Sequence, residues 1–423
     1  MRVVCSPAPL QGCLQAIPSK SDAHRVLIAA ALADGPTRVR MPGWGGEDIA
    51  ATLRCLRALG ADFVREEHCL KVEPLRNCPD SPVLDCGESG STLRFLLPVV
   101  AALGCGAVFT GAGRLPQRPI GPLLDALCGA GIRFDGDHLP LRLSGKLQSR
   151  EYWLPGQVSS QFITGLLLAL PLLQKGGAVA LGQPLESAGY VGMTLKVLRR
   201  FSVEVETSNR QYRIPPGQGY RTPGEVEIEG DWSNMAIFLA GGALGGSVCC
   251  SGLSPFSAQG DKAVIELLSA MGAIVSCTQD KFCVASGTWK PACDIDVRDI
   301  PDLVPVLAAV AAFAPGETCF VHAARLRLKE SDRLRTTAQM VCGLGGQAHV
   351  AGEELHVRGA GTLPGGCVDS AGDHRIVMAA AIAAAYCRGE TMIVGAEAAN
   401  KSYPTFFEDY QKLGGIYRVV NSG

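Results

Sequence analysis

Cations stand where helices begin in this chain, and that placement has chemical content. The stretch Ile17-Pro18-Ser19-Lys20-Ser21-Asp22-Ala23-His24-Arg25 leads into the apolar run Val26 to Ala33. Ser19, Ser21 and Asp22 are helix-starting residue types. Lys20 and Arg25 are therefore expected at the mouth of a buried helix, where free backbone N–H groups already favour an anion. Polar clusters precede further apolar helices: Gly87 to Arg94, Val158-Ser159-Ser160-Gln161, Gly230 to Asn234, Asp299-Ile300-Pro301-Asp302 and Gly372-Asp373-His374-Arg375. Simple N-capping accounts for Ser89, Ser233 and Asp299. It leaves Lys20, Arg94 and Arg375 unexplained, because a cation near a helix N-terminus opposes the dipole. A bound anion removes that conflict.

Two loops add cations. Gly113 to Ile120 carries Arg114 and Arg118 in a Pro-rich turn, and Arg325 to Leu334 carries Lys329, Glu330, Asp332 and Arg333. A charged run of the second kind is ordinarily a solvated helix face. Lys401 carries no signal alone. The chain has neither a Gly-x-x-x-x-Gly-Lys-[Ser/Thr] loop nor a His-Glu-x-x-His motif. Phosphate charge would then be met by Arg, Lys, Ser and backbone N–H groups, with no metal and no cofactor.

The elements that position these groups are legible as repeats. Ala/Leu-rich helices end at Gly35, Gly104, Gly176, Gly245, Gly316 and Gly389, at intervals of 69 to 73 residues. A second marker, Leu-x-x-Leu-Gly-Ala or a relative of it, recurs at Gly60, Gly131, Ser202, Gly272, Gly345 and Gly414. A glycine just past a helix takes the left-handed conformation without strain. The pattern predicts six copies of a mixed α/β unit, each with two helices and three or four short strands. Six copies suggest two domains of three. Residues 18–229 form the first, and residues 230–423 with the N-terminal segment 1–17 form the second. The break falls in the Pro- and Gly-rich stretch Pro215 to Gly230. Strand Arg2 to Cys5 is expected to pair with the C-terminal half.

Composition narrows the class. The 423 residues exceed one ordinary core. A net charge of −1 argues against nucleic acid or an acidic membrane as a partner held by overall charge. The 17 cysteines include no Cys-x-x-Cys pair, so separate thiols in a reducing cytosol are expected instead of a disulfide framework or a zinc site. The first residues show neither a signal-peptide core nor transit-peptide character, and the apolar runs are shorter than a membrane span, so a cytoplasmic protein is expected; a monomer is expected as well.

Together the clusters resemble the 5-enolpyruvylshikimate-3-phosphate synthases, the 3-phosphoshikimate 1-carboxyvinyltransferases of the shikimate pathway to chorismate and aromatic amino acids. The resemblance runs through Pro18 to Arg25, Gly87 to Arg94, Arg114 to Ile120, Ser159-Ser160-Gln161, Lys329 to Leu334, Asp373-His374-Arg375, and Lys401 before Pro404. It implies a two-domain inside-out α/β barrel of six βαβαββ repeats, three per domain. It also implies transfer of the enolpyruvyl group of phosphoenolpyruvate to the 5-hydroxyl of shikimate 3-phosphate. Carried over by position, phosphoenolpyruvate meets Lys20, Gly90, Arg118, Gln161, Arg333, Arg375 and Lys401. Shikimate 3-phosphate meets Ser21, Arg25, Ser159, Ser160, Gln161, Ser187, Tyr190, Asp302 and Lys329. Arg94 joins the first-domain cations. Asp302 is the expected base at the 5-hydroxyl, Glu330 the proton donor and acceptor at the phosphoenolpyruvate carbons, and Lys20 shares either role. Gly90 is expected to lie against the donor; the other reading is a left-handed backbone. The motif residues are divided between the two halves, so the domains are expected to close on substrate.

The chain departs from the best-known branch at Glu88-Ser89-Gly90-Ser91-Thr92-Leu93-Arg94-Phe95, where that branch has Asn-Ala-Gly-Thr-Ala-Met-Arg-Pro, and at Arg325, where it has Asn. Inhibitor sensitivity therefore does not carry over. UDP-N-acetylglucosamine enolpyruvyl transferase is a rival, but it has Lys-Asn in place of Lys20-Ser21 and a cysteine in the loop near Arg114 to Arg118. A non-catalytic polyanion-binding scaffold is the third reading.

Overall fold

The computed structural model describes residues 1–41, 43, 45–157, 159–290 and 294–420. Val158, at the head of one polar cluster, lies outside them. The chain divides into two compact units: Met1–Ile17 with Glu229–Gly423, and Pro18–Ile228. The second crossing therefore falls between Ile228 and Glu229, one residue before the expected break.

Six helices are buried almost all round, with apolar later turns, and such turns are stable only when buried. They are α1 (Lys20–Ala31), α2 (Gly90–Leu103), α3 (Ser160–Ala169), α4 (Trp232–Gly245), α5 (Val304–Ala311) and α6 (His374–Ala384). The first three run through the core of the inserted unit and the last three through that of the discontinuous one. Among the described residues each unit holds three four-stranded sheets. Every sheet has one parallel pair followed by two antiparallel steps. Val83–Asp85, α2 and the parallel Ala107–Thr110 show the motif: strand, buried helix, strand.

Three strands close the rings of repeats. Glu225–Glu227 pairs in parallel with Thr37–Arg40, heading the first repeat's sheet from the end of the third. Gln11–Gln15 pairs in parallel with Ser247–Ser251, and Arg2–Ser6 lies between Thr391–Val394 and Ile416–Val420. The whole inserted unit thus interrupts one strand–helix–strand motif, between Gln11–Gln15 and α4. The two chain crossings are tied together where Asp231 N donates to Ile17 O at 2.8 Å.

At the second repeat marker Gly60, Gly131, Gly272, Gly345 and Gly414 all take positive φ, and Ser202 does so at 59° in the third copy. The other expectations needed correction in places. Ser89 does cap α2, but Ser233 sits inside α4, whose cap is Asp231. Asp299 does not cap α5, which begins after Leu303 with no side-chain cap, because the intervening residues form a turn. The charged run Arg325 to Leu334 is no solvated helix face. It is a short 3-10 turn followed by a helix from Arg333, and Arg333 is 1% exposed. Four cysteines expected as separate thiols form two disulfides, Cys78–Cys105 and Cys249–Cys283. Cys249 and Cys283 face each other on neighbouring antiparallel strands, a pairing that chain spacing does not reveal.

Candidate active site

In the inserted unit, Lys20 is the first residue of α1 and its Nζ donates to Asp48 Oδ2 at 2.9 Å. Asp48 lies in the first turn of the helix Glu47–Ala58, so its side chain supplies the counter-charge that Lys20 needs at a helix mouth. Behind this pair runs a buried chain of hydroxyls. His24 Nδ1 meets Thr52 Oγ1 at 2.7 Å, Thr52 meets Thr92, and Thr92 donates to Ser89 Oγ, each at 2.7 Å. Burial pushes the His24 imidazolium down to about 3, so the ring is neutral at physiological pH. The chain locks α1, Glu47–Ala58 and α2 in one register.

That register sets Gly90, Arg94 and Gln161. Arg94 Nη1 donates to Gln161 Oε1 at 2.8 Å and Nη2 to Pro119 O at 3.1 Å; Gln161 Nε2 donates to Ser91 Oγ at 2.9 Å. A methyl group on Gly90 would stand 2.6 Å from Arg94 Nη1 and 2.9 Å from Arg118 Nη1. Gly90 is helical, with no positive φ, so the left-handed reading fails. Pro98 explains how α2 and α3 approach so closely. It lacks the N–H that would bond Arg94 O, and Gly165 packs there, where a Cβ would lie 2.2 Å from that carbonyl. Arg114 is exposed.

Arg25 is buried one turn into α1. Its Nε donates to Thr194 Oγ1 at 2.8 Å and its Nη2 to Tyr190 O at 3.1 Å, and its Nη1 donates to Ser21 O. Burial lowers the guanidinium to about 10, against the raising effect of Asp22. Arg25 thus joins Ser21 to the Tyr190 turn. Ser187 is buried with φ 56° as it starts Ala188–Arg200, and Ser159 caps α3 by accepting from Gln161 N at 3.2 Å, beside buried Ser160.

In the discontinuous unit a second cluster centres on Arg333. Its guanidinium donates to Asp373 Oδ2 at 2.8 Å, Asp302 Oδ1 at 2.6 Å and Glu330 Oε2 at 2.8 Å. Lys329 Nζ reaches Asp302 Oδ1 at 3.2 Å, and Arg375 Nη2 lies 3.9 Å from Asp302 Oδ2. Burial alone would raise the Asp302 carboxyl, but Lys329, Arg333 and Arg375 outweigh it and hold it well below the usual carboxylate range. Burial lowers the Lys329 ammonium, and Asp302 opposes that shift. Arg333 stays charged because Asp373, Glu330 and Asp302 overcome its desolvation. Arg375 Nη1 donates to Ser233 O at 2.7 Å. Lys401, 7% exposed, ends the 3-10 turn Ala396–Lys401.

Three residues escaped sequence reasoning. Asp48 and Asp373 are the buried counter-charges of Lys20 and Arg333. Asp373 lay in a recognised cluster, and Asp48 follows Gly45-Gly46-Glu47 with the acidic start of a helix. Asp261 is buried and accepts from Ser233 Oγ; burial and then the Asp302 charge push its carboxyl up to about 7. Nothing in Gln259-Gly260-Asp261 announces that position.

Cations at helix starts, ringed by hydroxyls or carboxylates, together with the six four-stranded sheets found among the described residues on a repeated motif, define the two-domain enolpyruvyl transferase fold. Residues 4–410 match the model of EPSP synthase (3-phosphoshikimate 1-carboxyvinyltransferase), and the chain belongs to that family. The 3-phosphoshikimate 1-carboxyvinyltransferase of Clostridium kluyveri is 40% identical over 418 residues, 98% of this chain and 97% of that protein. The one from Methanocorpusculum labreanum is 36% identical over 426 residues, covering 99% and 100%. The solved EPSP synthase of Acinetobacter baumannii superposes with a TM-score of 0.83 over 100% of both chains, at 25% identity. No helix among the described residues is long and apolar enough to cross a membrane.

Proposed function

We propose that the chain transfers the enolpyruvyl group of phosphoenolpyruvate to the 5-hydroxyl of shikimate 3-phosphate, releasing phosphate. The observation that carries this reading is the Asp302–Lys329–Glu330–Arg333 cluster: two carboxylates able to move protons, held among cations able to hold anions. Family membership supports it.

In the addition step the 5-hydroxyl oxygen bonds to C2 of phosphoenolpyruvate and gives up its proton, while C3 gains one. In the elimination step C3 loses a proton, the C2=C3 bond re-forms, and the C2–O bond to phosphate breaks. Asp302 is the base at the hydroxyl. A carboxylate so strongly stabilised is a weak base, and drawing Lys329 to the acceptor removes one of its three cations. Glu330 serves C3, and Lys20 shares in proton transfer. Donor carboxylate and phosphate fall to Lys20, Arg118, Gln161, Arg333, Arg375 and Lys401, with Gly90 leaving room for them. The acceptor falls to Ser21, Arg25, Ser159, Ser160, Gln161, Ser187, Tyr190, Asp302 and Lys329. Fixed cations of this kind stabilise a charged transition state without reorganising.

A coupled phosphate-release assay tests the reading with shikimate 3-phosphate and, in parallel, UDP-N-acetylglucosamine as acceptor. Release with the first alone is expected, and release only with the second would sink it. Glu330→Gln should lower kcat by about 10²-fold or more with little change in acceptor KM. Normal kcat in that variant would remove Glu330 from the mechanism.

A further inference from the structure

Away from these residues, one sheet of the discontinuous unit gathers soft and hard ligand groups on one face. Its strands Gly316–Val321, Glu354–Gly359 and Gln347–Ala351 are neighbours. Register places Cys319 opposite His356, and His356 opposite His349. Those side chains stand in one row. Glu317 and Glu354 lie two residues along their strands and so share the face.

The distances are specific. Cys319 Sγ is 3.7 Å from His356 Nε2 and 3.6 Å from Glu354 Oε2, and those last two atoms are 3.3 Å apart. A tetrahedral ion with bonds of about 2.0–2.3 Å to O, N and S spaces its ligand atoms about 3.3–3.6 Å apart. One triangular face of such a tetrahedron is therefore already in place. The other ring nitrogen, His356 Nδ1, lies 3.2 Å from Glu317 Oε1. A proton on Nδ1 donated to that carboxylate leaves the Nε2 lone pair facing Cys319 and Glu354. This carboxylate–imidazole relay is how metal-binding histidines are generally oriented. The His349 ring stacks on His356 with centroids 4.9 Å apart and restrains its plane. The His356 side chain is 22% exposed and that of Glu354 45%, so the group is open to water.

We propose that Cys319, Glu354 and His356 bind one divalent cation of the zinc class, with Glu317 orienting His356 and a water completing the tetrahedron. The mixed S, N and O set suits a borderline cation better than Mg²⁺ or Ca²⁺, which prefer oxygen alone. On binding, the Cys319 thiol loses its proton to solvent and its sulfur pair enters the metal bond. The ion would tie two adjacent strands of the sheet and raise the stability of the unit by mass action.

The test uses the full chain, reduced with a phosphine, and Co²⁺ as a spectroscopic probe. One equivalent of Co²⁺ should give a thiolate-to-cobalt charge-transfer band that Zn²⁺ displaces. Cys319→Ser should abolish the band and weaken Zn²⁺ by about 10²-fold or more. Glu317→Gln keeps all three ligands and should still cost about 10- to 100-fold through the histidine alone. It provides the same test if Cys319→Ser fails to fold. Cys128→Ser, at an exposed cysteine of the inserted unit, should change nothing. A wild-type chain without the band, Co²⁺ binding that survives Cys319→Ser, or Zn²⁺ affinity untouched by Glu317→Gln would overturn the proposal. Any of these would leave the group as an ordinary set of surface ion pairs.

Discussion

Gly90 has room for hydrogen only. Its neighbours Arg94 and Arg118 approach to 2.6 and 2.9 Å of where a Cβ would stand, and both contacts are side-chain ends, not backbone. Gly90→Ala should therefore displace Arg118 and Arg94 without straining the backbone. The melting temperature and the KM for shikimate 3-phosphate should hold, while the KM for phosphoenolpyruvate rises. Equal loss for both substrates would refute this. Asp261 makes a pH prediction. Its folded value of about 7 lies above its unfolded value, so the folded chain keeps a proton that the unfolded chain releases. Its contribution to stability is complete below the unfolded value of 3.8 and is lost as pH rises through about 7. Between these limits wild-type stability should fall by up to about 1.4 kcal/mol per pH unit relative to Asp261→Asn. Urea unfolding at about pH 5, 6, 7 and 8 checks it, and a pH-independent difference would count against it. At this scale the cations were legible and their counter-charges were not. Lys20, Arg94 and Arg375 sit at or near helix starts visible as sequence patterns, whereas Asp48 and Asp261 acquire meaning only by packing. Cys319, Glu354 and His356 are hidden for the same reason, since a cross-strand register leaves no fixed spacing along the chain.

The pair α2 and α3 shows how an element sets a site. Pro98 frees the Arg94 carbonyl, Gly165 fills the space above it, and one turn earlier Gln161 meets the Arg94 side chain. Gly165→Ala would drive a methyl group into that backbone oxygen and push the helices apart. Overpacking of this kind costs about 1–3 kcal/mol, and the Arg94–Gln161 bond should lengthen with it. Both stability and kcat/KM for phosphoenolpyruvate should drop, whereas the same change at Gly121, where a Cβ meets nothing within 4 Å, should leave kcat/KM unchanged. An unaltered melting temperature for Gly165→Ala would refute the close approach. Element type was readable because these helices lack any polar face, and helix ends were readable from glycine. The start of α5 was not, because Asp299 looks like a cap and the turn that follows it does not hold it in that role. The repeat glycines at Gly60 and Gly131 were legible for a physical reason: only glycine meets positive φ without strain, and Ser202 bears that strain in the third copy.

At the scale of the molecule, the period near seventy residues gave the number of units, but not which strand closes each ring. That information lies in pairings between distant segments, such as Glu225–Glu227 with Thr37–Arg40. The pairings make a kinetic prediction. In pulse-labelled hydrogen exchange during refolding, amides of Arg2–Ser6 should gain protection together with Thr391–Val394 and Ile416–Val420, their sheet neighbours. Amides in the sheets of Pro18–Ile228 should follow a separate time course. Protection of Arg2–Ser6 ahead of its partners would contradict the assignment.

The same closure bears on how the chain emerges from the ribosome. Everything needed for Pro18–Ile228 has been synthesised by midway, and that unit can fold while translation continues. The first strand has no such option, since both its neighbours are encoded near the far end. At about 5–20 residues per second, Arg2–Ser6 waits roughly 20–80 s for Ile416–Val420. Throughout that interval Val3, Val4 and Cys5, all buried in the finished fold, remain an open apolar strand on the nascent chain. Arg2–Ser6 is thus synthesised long before the strands it pairs with, and it is where a holding chaperone would be needed.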